Sequence, residues 1–219
     1  MSETTASPSL KVSEIFLSLQ GESSRVGLPT VFIRLTGCPL RCQWCDTAYA
    51  FSGGQSRSLP SILAEVATHR VRQVCVTGGE PLAQPACLVL LSALCDAGYS
   101  VSLETSGALA IDTVDPRVTR VMDLKAPGSG ESARNHWPNL AALTANDEIK
   151  FVLKDHADYQ WAADLIRERR LDALCPLLFS PVAGELSAAT LADWILADRL
   201  PVRLQVQLHK LLWGNMRGK

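Results

Sequence analysis

The sequence predicts an α/β protein built as a partial or complete (β/α) barrel, with its site at the carboxyl-terminal ends of the strands. Three observations predict it. Short β-branched apolar runs recur along the 219 residues, and amphipathic stretches of helical spacing separate several of them. The apolar runs also end in turns that hold ionisable or hydroxyl residues. Strand alternating with helix argues for parallel strands and right-handed crossovers. Such sheets gather their chemistry at the strands' carboxyl ends.

In chain order, residues 1–10 are polar and acidic and read as a flexible leader, which leaves 11–219 as one domain. Strands are predicted at 30–37, 73–81, 100–107, 120–127, 148–155, 175–182 and 201–210. Ser58 as N-cap and Pro60 in the first turn predict a helix over 58–70. The next helix, 84–98, is expected to end at Gly98. Stretches 156–170 and 185–199 read as amphipathic helices. Strand followed by helix is expected about six times.

Composition excludes several classes. Hydrophobic residues make up 47% and charged residues 20%, as in a soluble globular protein. A net charge of −1 gives no electrostatic reason to expect nucleic acid or an anionic membrane as partner. No apolar run approaches the roughly 20 residues of a spanning helix. The expected place is the cytoplasm, where thiols stay reduced.

Three of the seven cysteines, Cys38, Cys42 and Cys45, fall within "GCPLRCQWCDT" at the end of the first predicted strand. Structural zinc needs four ligands, usually with a second C-x2-C, and none is present. Cys75, Cys87, Cys95 and Cys175 lie in apolar stretches and read as small core residues. An iron–sulfur cluster held by three thiolates would leave one iron open to bind a reacting molecule. Gly37 and Pro39 would shape that loop, and Trp44 would shield it from water. Zinc on a non-catalytic module stays open as an alternative at this point.

C-x3-C-x2-C with an aromatic residue before the last cysteine, followed by Gly-Gly-Glu-Pro at 78–81, resembles the radical S-adenosylmethionine (SAM) superfamily. The resemblance implies that superfamily's partial or modified (β/α) barrel and a [4Fe–4S] cluster that chelates SAM. It also implies reductive cleavage of SAM to a 5′-deoxyadenosyl radical. "EIFLSLQGE" (14–22), "CDT" (45–47), "ETSG" (104–107), "DLKAP" (123–127), "IKFV" (149–152) and "RLQVQLHKLLWG" (203–214) narrow the resemblance to the 7-carboxy-7-deazaguanine synthase (QueE) family. The narrower resemblance implies conversion of 6-carboxy-5,6,7,8-tetrahydropterin to 7-carboxy-7-deazaguanine with loss of ammonia, SAM being regenerated. The product belongs to queuosine and 7-deazapurine biosynthesis, hence to a tRNA modification pathway or to secondary metabolism. The nearest rival among enzymes is a glycyl-radical-activating protein.

Candidate site residues match the family by position. Cys38, Cys42 and Cys45 match the cluster ligands, and Thr47 matches a Mg2+ ligand. Leu19, Gln20, Gly21, Arg34 and Thr77 match substrate contacts. Arg34 would clamp the substrate carboxylate in two-point fashion, and Gln20 would read an aminopyrimidinone edge. Trp44, Asp46, Gly79, Glu80, Ser106, Asp123, Lys125 and Ser180 fall where SAM contacts lie, with Glu80 as partner for the methionine ammonium. The chain departs from relatives that carry Ser-Pro-Lys at 123–125 and Gln-Pro at 180–181. His209 lies in a shared motif and is given no role. The resemblance further implies a homodimer and an electron donor such as flavodoxin.

Overall fold

The computed structural model describes residues 8–214 and 216–219. Nine strands run in chain order: β1 (Ser9–Leu19), β2 (Pro29–Leu35), β3 (Gln55–Ser58), β4 (Gln73–Gly78), β5 (Ser100–Thr105), β6 (Thr119–Asp123), β7 (Glu148–Leu153), β8 (Leu177–Pro181) and β9 (Arg203–Leu204). They form one sheet in the order β3-β1-β2-β4-β5-β6-β7-β8-β9. From β2 onward every neighbouring pair is parallel, whereas β1 runs antiparallel to both β2 and β3. With β3 and β9 as separate edges, the sheet curls without closing. It is the partial barrel of the two predicted forms.

The period of two along the strands decides what faces the site. In β2, Val31, Ile33 and Leu35 are fully buried in the main core, while Phe32 and Arg34 point to the opposite face and line a cavity. Likewise β7 sends Ile149, Phe151 and Leu153 to the core and Lys150 and Val152 to the cavity. In β6, Met122 is core and Val121 and Asp123 are cavity. Helices cover the core face: α1 (Leu59–Thr68), α2 (Ala86–Asp96), α3 (His156–Arg169) and α4 (Ala188–Asp198). Side chains cap three of their starts. Ser58, Asp155 and Ser187 accept from the backbone N–H of Ser61, Asp158 and Thr190. Beyond α2, Gly98 takes φ 82°, the left-handed turn that ends the helix.

Three expectations are corrected, and two strands are added. Ser9 and Leu10, expected in the leader, belong to β1, and Leu10 is 1% exposed because it packs in the core. Residues 1–7 of that predicted leader lie outside the described residues. The strand–helix unit is not repeated six times, since 106–118 and 124–147 join β5, β6 and β7 without an α-helix. Polar groups take over the holding. Asn139 accepts from Ile111 N and donates to the carbonyls of Gly107 and Leu109. Arg120 bonds Asp147 and the carbonyls of Ile111 and Ala142.

The last predicted strand, 201–210, shrinks to the two residues of β9 and then gives way to a short helix, α5 (Leu208–Trp213). Just past β9 the Gln205 side chain bonds both backbone groups of Ser23, a partner distant in sequence, and the ladder ends there. Finally, β1 and β3 are strands that alternation and turn residues alone do not assign. β1 falls on the motif "EIFLSLQGE", so a functional motif doubles as the sheet's antiparallel flank.

Candidate active site

A cavity of about 810 Å³ opens at the carboxyl ends of the parallel strands. The cysteine loop forms one wall. Gly37 N donates to Ala50 O at 2.8 Å, and Gly37 O accepts from Glu80 N at 2.8 Å. This seats the loop against the Gly-Gly-Glu-Pro turn. A Cβ on Gly79 would collide with Gly37 O and Cys38 Cβ, so only glycine permits the contact. Arg41 donates to the carbonyls of Cys38 and Leu40 and lies over the Phe51 ring at 4.2 Å. Its own backbone N–H goes to Glu131 at 2.6 Å, and Gln43 N goes to Ser129 O at 3.1 Å. The loop is therefore held by contacts within the protein.

All three thiols line the cavity. Burial raises the Cys38 and Cys42 thiols above their ordinary range, with the nearby Lys125 ammonium opposing. Among the described residues, no three Cys, His, Asp or Glu side chains are arranged around a single metal ion. The donor set, three half-buried thiols on one loop beside a glycine turn, fits a cluster held by three thiolates.

Across the cavity stands a polar wall. Arg34 gives its Nε to Glu14 at 2.6 Å, and Tyr49 donates to the same oxygen at 2.7 Å. The guanidinium lies between the Phe16 and Tyr49 rings, 5.8 and 5.9 Å from their centroids. These contacts fix the fork beside the cavity that Arg34 lines. Thr77 and Gln20 both donate to Glu104, at 3.0 and 3.3 Å. The amide oxygen of Gln20 accepts from Glu22 N at 3.3 Å, so both ends of this side chain are engaged within the protein.

Two half-buried ion pairs floor the site. Lys150 meets Glu22 at 2.5 Å, and Lys125 meets Asp123 at 2.9 Å. Burial alone would lower both lysines, but the adjacent carboxylates outweigh it and keep them as ammonium ions. One oxygen of each carboxylate, Glu22 Oε1 and Asp123 Oδ1, is buried without a hydrogen-bond partner among the described residues. Both residues line the cavity, and an unmet buried acceptor is costly unless a ligand supplies the donor.

At the rim, Thr47 donates to Asp46 at 2.9 Å, and Asp46 pairs with Lys210 of α5 at 2.9 Å. Burial would raise the Asp46 carboxyl, but Lys210 holds it down at about 2. Arg217 stacks over Tyr49 at 4.0 Å, so the segment after α5 lies along the same opening. The His209 ring packs on Gly21, and burial pushes it below its ordinary range.

The structure brings Leu19, Gln20, Gly21, Arg34, Trp44, Asp46, Thr47, Thr77, Gly79, Ser106, Asp123 and Lys125 to the same cavity as the cysteines. Two expected residues do not reach its wall. Glu80 is fully buried, and its oxygens already accept from Leu82 N, Thr105 Oγ1, Ser106 N and Ser106 Oγ. It braces the turn beneath the site, with no oxygen left for an ammonium. Ser180 is buried below the surface, with its Oγ unpartnered among the described residues. Motif matching misses Glu22, Glu104 and Lys150 as site residues. The available signal is alternation: in "EIKFV", Lys150 falls on the face opposite Ile149 and Phe151.

Comparison with known proteins agrees with this geometry. The family model of the Radical SAM superfamily matches residues 32–175. The 7-carboxy-7-deazaguanine synthase of Chlorobaculum tepidum is 46% identical over 214 residues, covering 95% of this chain and 97% of that one. The chain belongs to the 7-carboxy-7-deazaguanine synthase family. A second relative of the same name, from Koribacter versatilis, is 42% identical over 219 residues, with 93% and 97% covered. Among solved structures, QueE from Escherichia coli superposes with a TM-score of 0.77 at 25% identity, covering 92% of this chain and 95% of that one. Membership in this family makes the protein a radical SAM enzyme that uses a [4Fe–4S] cluster and SAM.

Proposed function

We propose that this protein converts 6-carboxy-5,6,7,8-tetrahydropterin to 7-carboxy-7-deazaguanine and ammonia. One observation supports the reading beyond family membership. A single cavity holds the three-thiol loop and, facing it, a fixed guanidinium and the unmet carboxylate oxygen of Glu22. An anionic pterin complements that wall, since its carboxylate suits Arg34 and its ring N–H groups suit buried acceptors.

Cys38, Cys42 and Cys45 would hold the cluster. When bound, the cluster supplies the electron that cleaves SAM to the radical needed for hydrogen abstraction. The chain's own residues do the rest. The Gly78–Gly79 turn brings backbone close to the cysteine loop, where SAM would lie. Lys125 and Asp123 set a charge pair beside Cys42, and Asp123 keeps one oxygen for a donor on SAM. Arg34, oriented by Glu14 and Tyr49, grips the substrate carboxylate. Glu104 aligns Thr77 and Gln20, while Lys150 pairs with Glu22 beside the cavity. Thr47 would give its hydroxyl oxygen to Mg2+, a hard cation that also takes substrate oxygens and water. Trp44 and residues 216–219 line the opening and would keep water out of it.

Action as a single domain, a homodimer, reduction by a flavodoxin-type donor and a place in the cytoplasm belong to the same proposal, supported by the family resemblance. No helix among the described residues is long and apolar enough to cross a membrane. The test is substrate discrimination by anaerobically reconstituted protein. Turnover with 6-carboxytetrahydropterin, and none with tetrahydropterin lacking the carboxylate, is expected. Equal turnover of both would remove the role given to Arg34.

A further inference from the structure

We propose that Arg25 is a positioning residue for the pterin-binding floor, an inference that rests on the function proposed above. Hydrogen bonds between neighbouring strands run around the sheet and do not seal its amino-terminal mouth. The loop between β1 and β2 does so. Arg25 Nη1 donates to Gln73 Oε1 at 3.0 Å and to Ser100 O at 3.3 Å, and Nη2 donates to Thr119 Oγ1 at 3.0 Å. These acceptors sit on the first residues of β4, β5 and β6. One guanidinium thus pins three adjacent strand starts.

The neighbouring residues extend the seal. Ser24 N donates to both oxygens of Glu148, the first residue of β7. Both backbone groups of Ser23 bond the side chain of Gln205, just past β9. Ser23 adopts φ 67°, a conformation an L-residue keeps only when its surroundings enforce it. Its hydroxyl accepts from Arg25 N at 3.2 Å, so the strained residue and the anchor are one unit.

The same loop carries the cavity floor. Gln20 reaches Glu104 and Glu22 reaches Lys150 from residues that precede the anchor by five and three positions. If the loop settles differently, both side chains move relative to Arg34 across the cavity. The anchor's own bonds all end at the strand starts, away from the cysteine loop and the Gly78–Gly79 turn on the SAM side. The effect of losing Arg25 is therefore confined to the pterin. A lysine cannot replace it, because one ammonium lacks the planar fork that serves three acceptors.

The test uses reconstituted holoenzyme and 6-carboxypterin, the oxidised and unreactive pterin, titrated by its fluorescence. SAM binding and iron content are measured alongside. Arg25→Ala should weaken 6-carboxypterin binding by roughly tenfold or more, with Arg25→Lys in between. SAM affinity and iron content should stay at the wild-type level. Thr119→Val removes one acceptor while keeping the side chain's shape, and should weaken the probe by about threefold. That milder variant carries the test if Arg25→Ala yields no folded protein. Unchanged 6-carboxypterin affinity in the folded variants overturns the positioning role alone. A loss shared equally by SAM and iron also overturns it, since that marks general unfolding. If the wild type itself takes up no 6-carboxypterin, the proposed function fails and this inference fails with it.

Discussion

Seven cysteines divide by environment into two kinds. Cys75, Cys87 and Cys175 are buried within the fold, and Cys95 is half-buried on α2, whereas Cys38, Cys42 and Cys45 line the cavity. Replacing any one of the cavity three by alanine should abolish the cluster, as iron content and the electron paramagnetic resonance signal of the reduced protein would report. Cys175→Ala should leave both intact. Arg34 makes a different prediction. Arg34→Gln removes a charge-assisted grip and should raise KM for the carboxylated pterin by about tenfold to a hundredfold, with cluster loading unchanged. Steady-state kinetics reads this directly, and an unaltered KM would contradict the clamp. The cysteines were legible in the sequence because their spacing is itself the signal. The roles of Glu80 and Glu22 were not. Whether a carboxylate faces a ligand or its own backbone depends on partners 25 or 128 residues away.

Between elements, the long connections do work that crossover helices would otherwise do. Arg120 and Asp147 are both nearly inaccessible and share two side-chain hydrogen bonds. Asp147→Ala would strand a buried guanidinium and should destabilise the fold by about 3–5 kcal/mol, measured by denaturant unfolding. Burial would raise the Asp147 carboxyl, but Arg120 and the Thr144 groups hold it below its ordinary value. Its contribution is therefore present above the unfolded-state pKa and is lost as pH falls through the lowered folded value. The Lys210–Asp46 contact ties α5 to the cysteine loop. Lys210→Met should let the Asp46 carboxyl rise from about 2 toward the ordinary aspartate range, which a carbon-detected NMR titration would show. The stabilisation it gives is complete above the ordinary value and fades as pH drops toward about 2. Strands β2 and β4 to β8 and helices α1 to α4 were readable because periodicity and caps are local. β1, β3 and the shortened β9 were not, because their pairing is set by partners such as Ser23 with Gln205, far apart in sequence.

At the scale of the molecule, one open sheet separates two environments. The face under the four helices is apolar and supplies stability. The opposite face, toward the cavity, carries charge from four strands: Arg34, Glu104, Asp123 and Lys150. Such a charged face suits a polar ligand more than it serves stability, since apolar residues would often pack there at no greater cost. The fold class and the site's location at the carboxyl ends were thus predictable from alternation and turn chemistry. The loop that spans the strand starts was not, because its partners lie on strands far apart in sequence. The central claim joins the cysteine loop to pterin chemistry, and one anaerobic reaction tests it. Reconstituted protein is given SAM, reductant, Mg2+ and 6-carboxytetrahydropterin, and 7-carboxy-7-deazaguanine is sought by mass spectrometry. The account predicts product from the wild type and none from Cys42→Ala. Protein that carries the cluster and cleaves SAM, yet forms no deazaguanine, would contradict it.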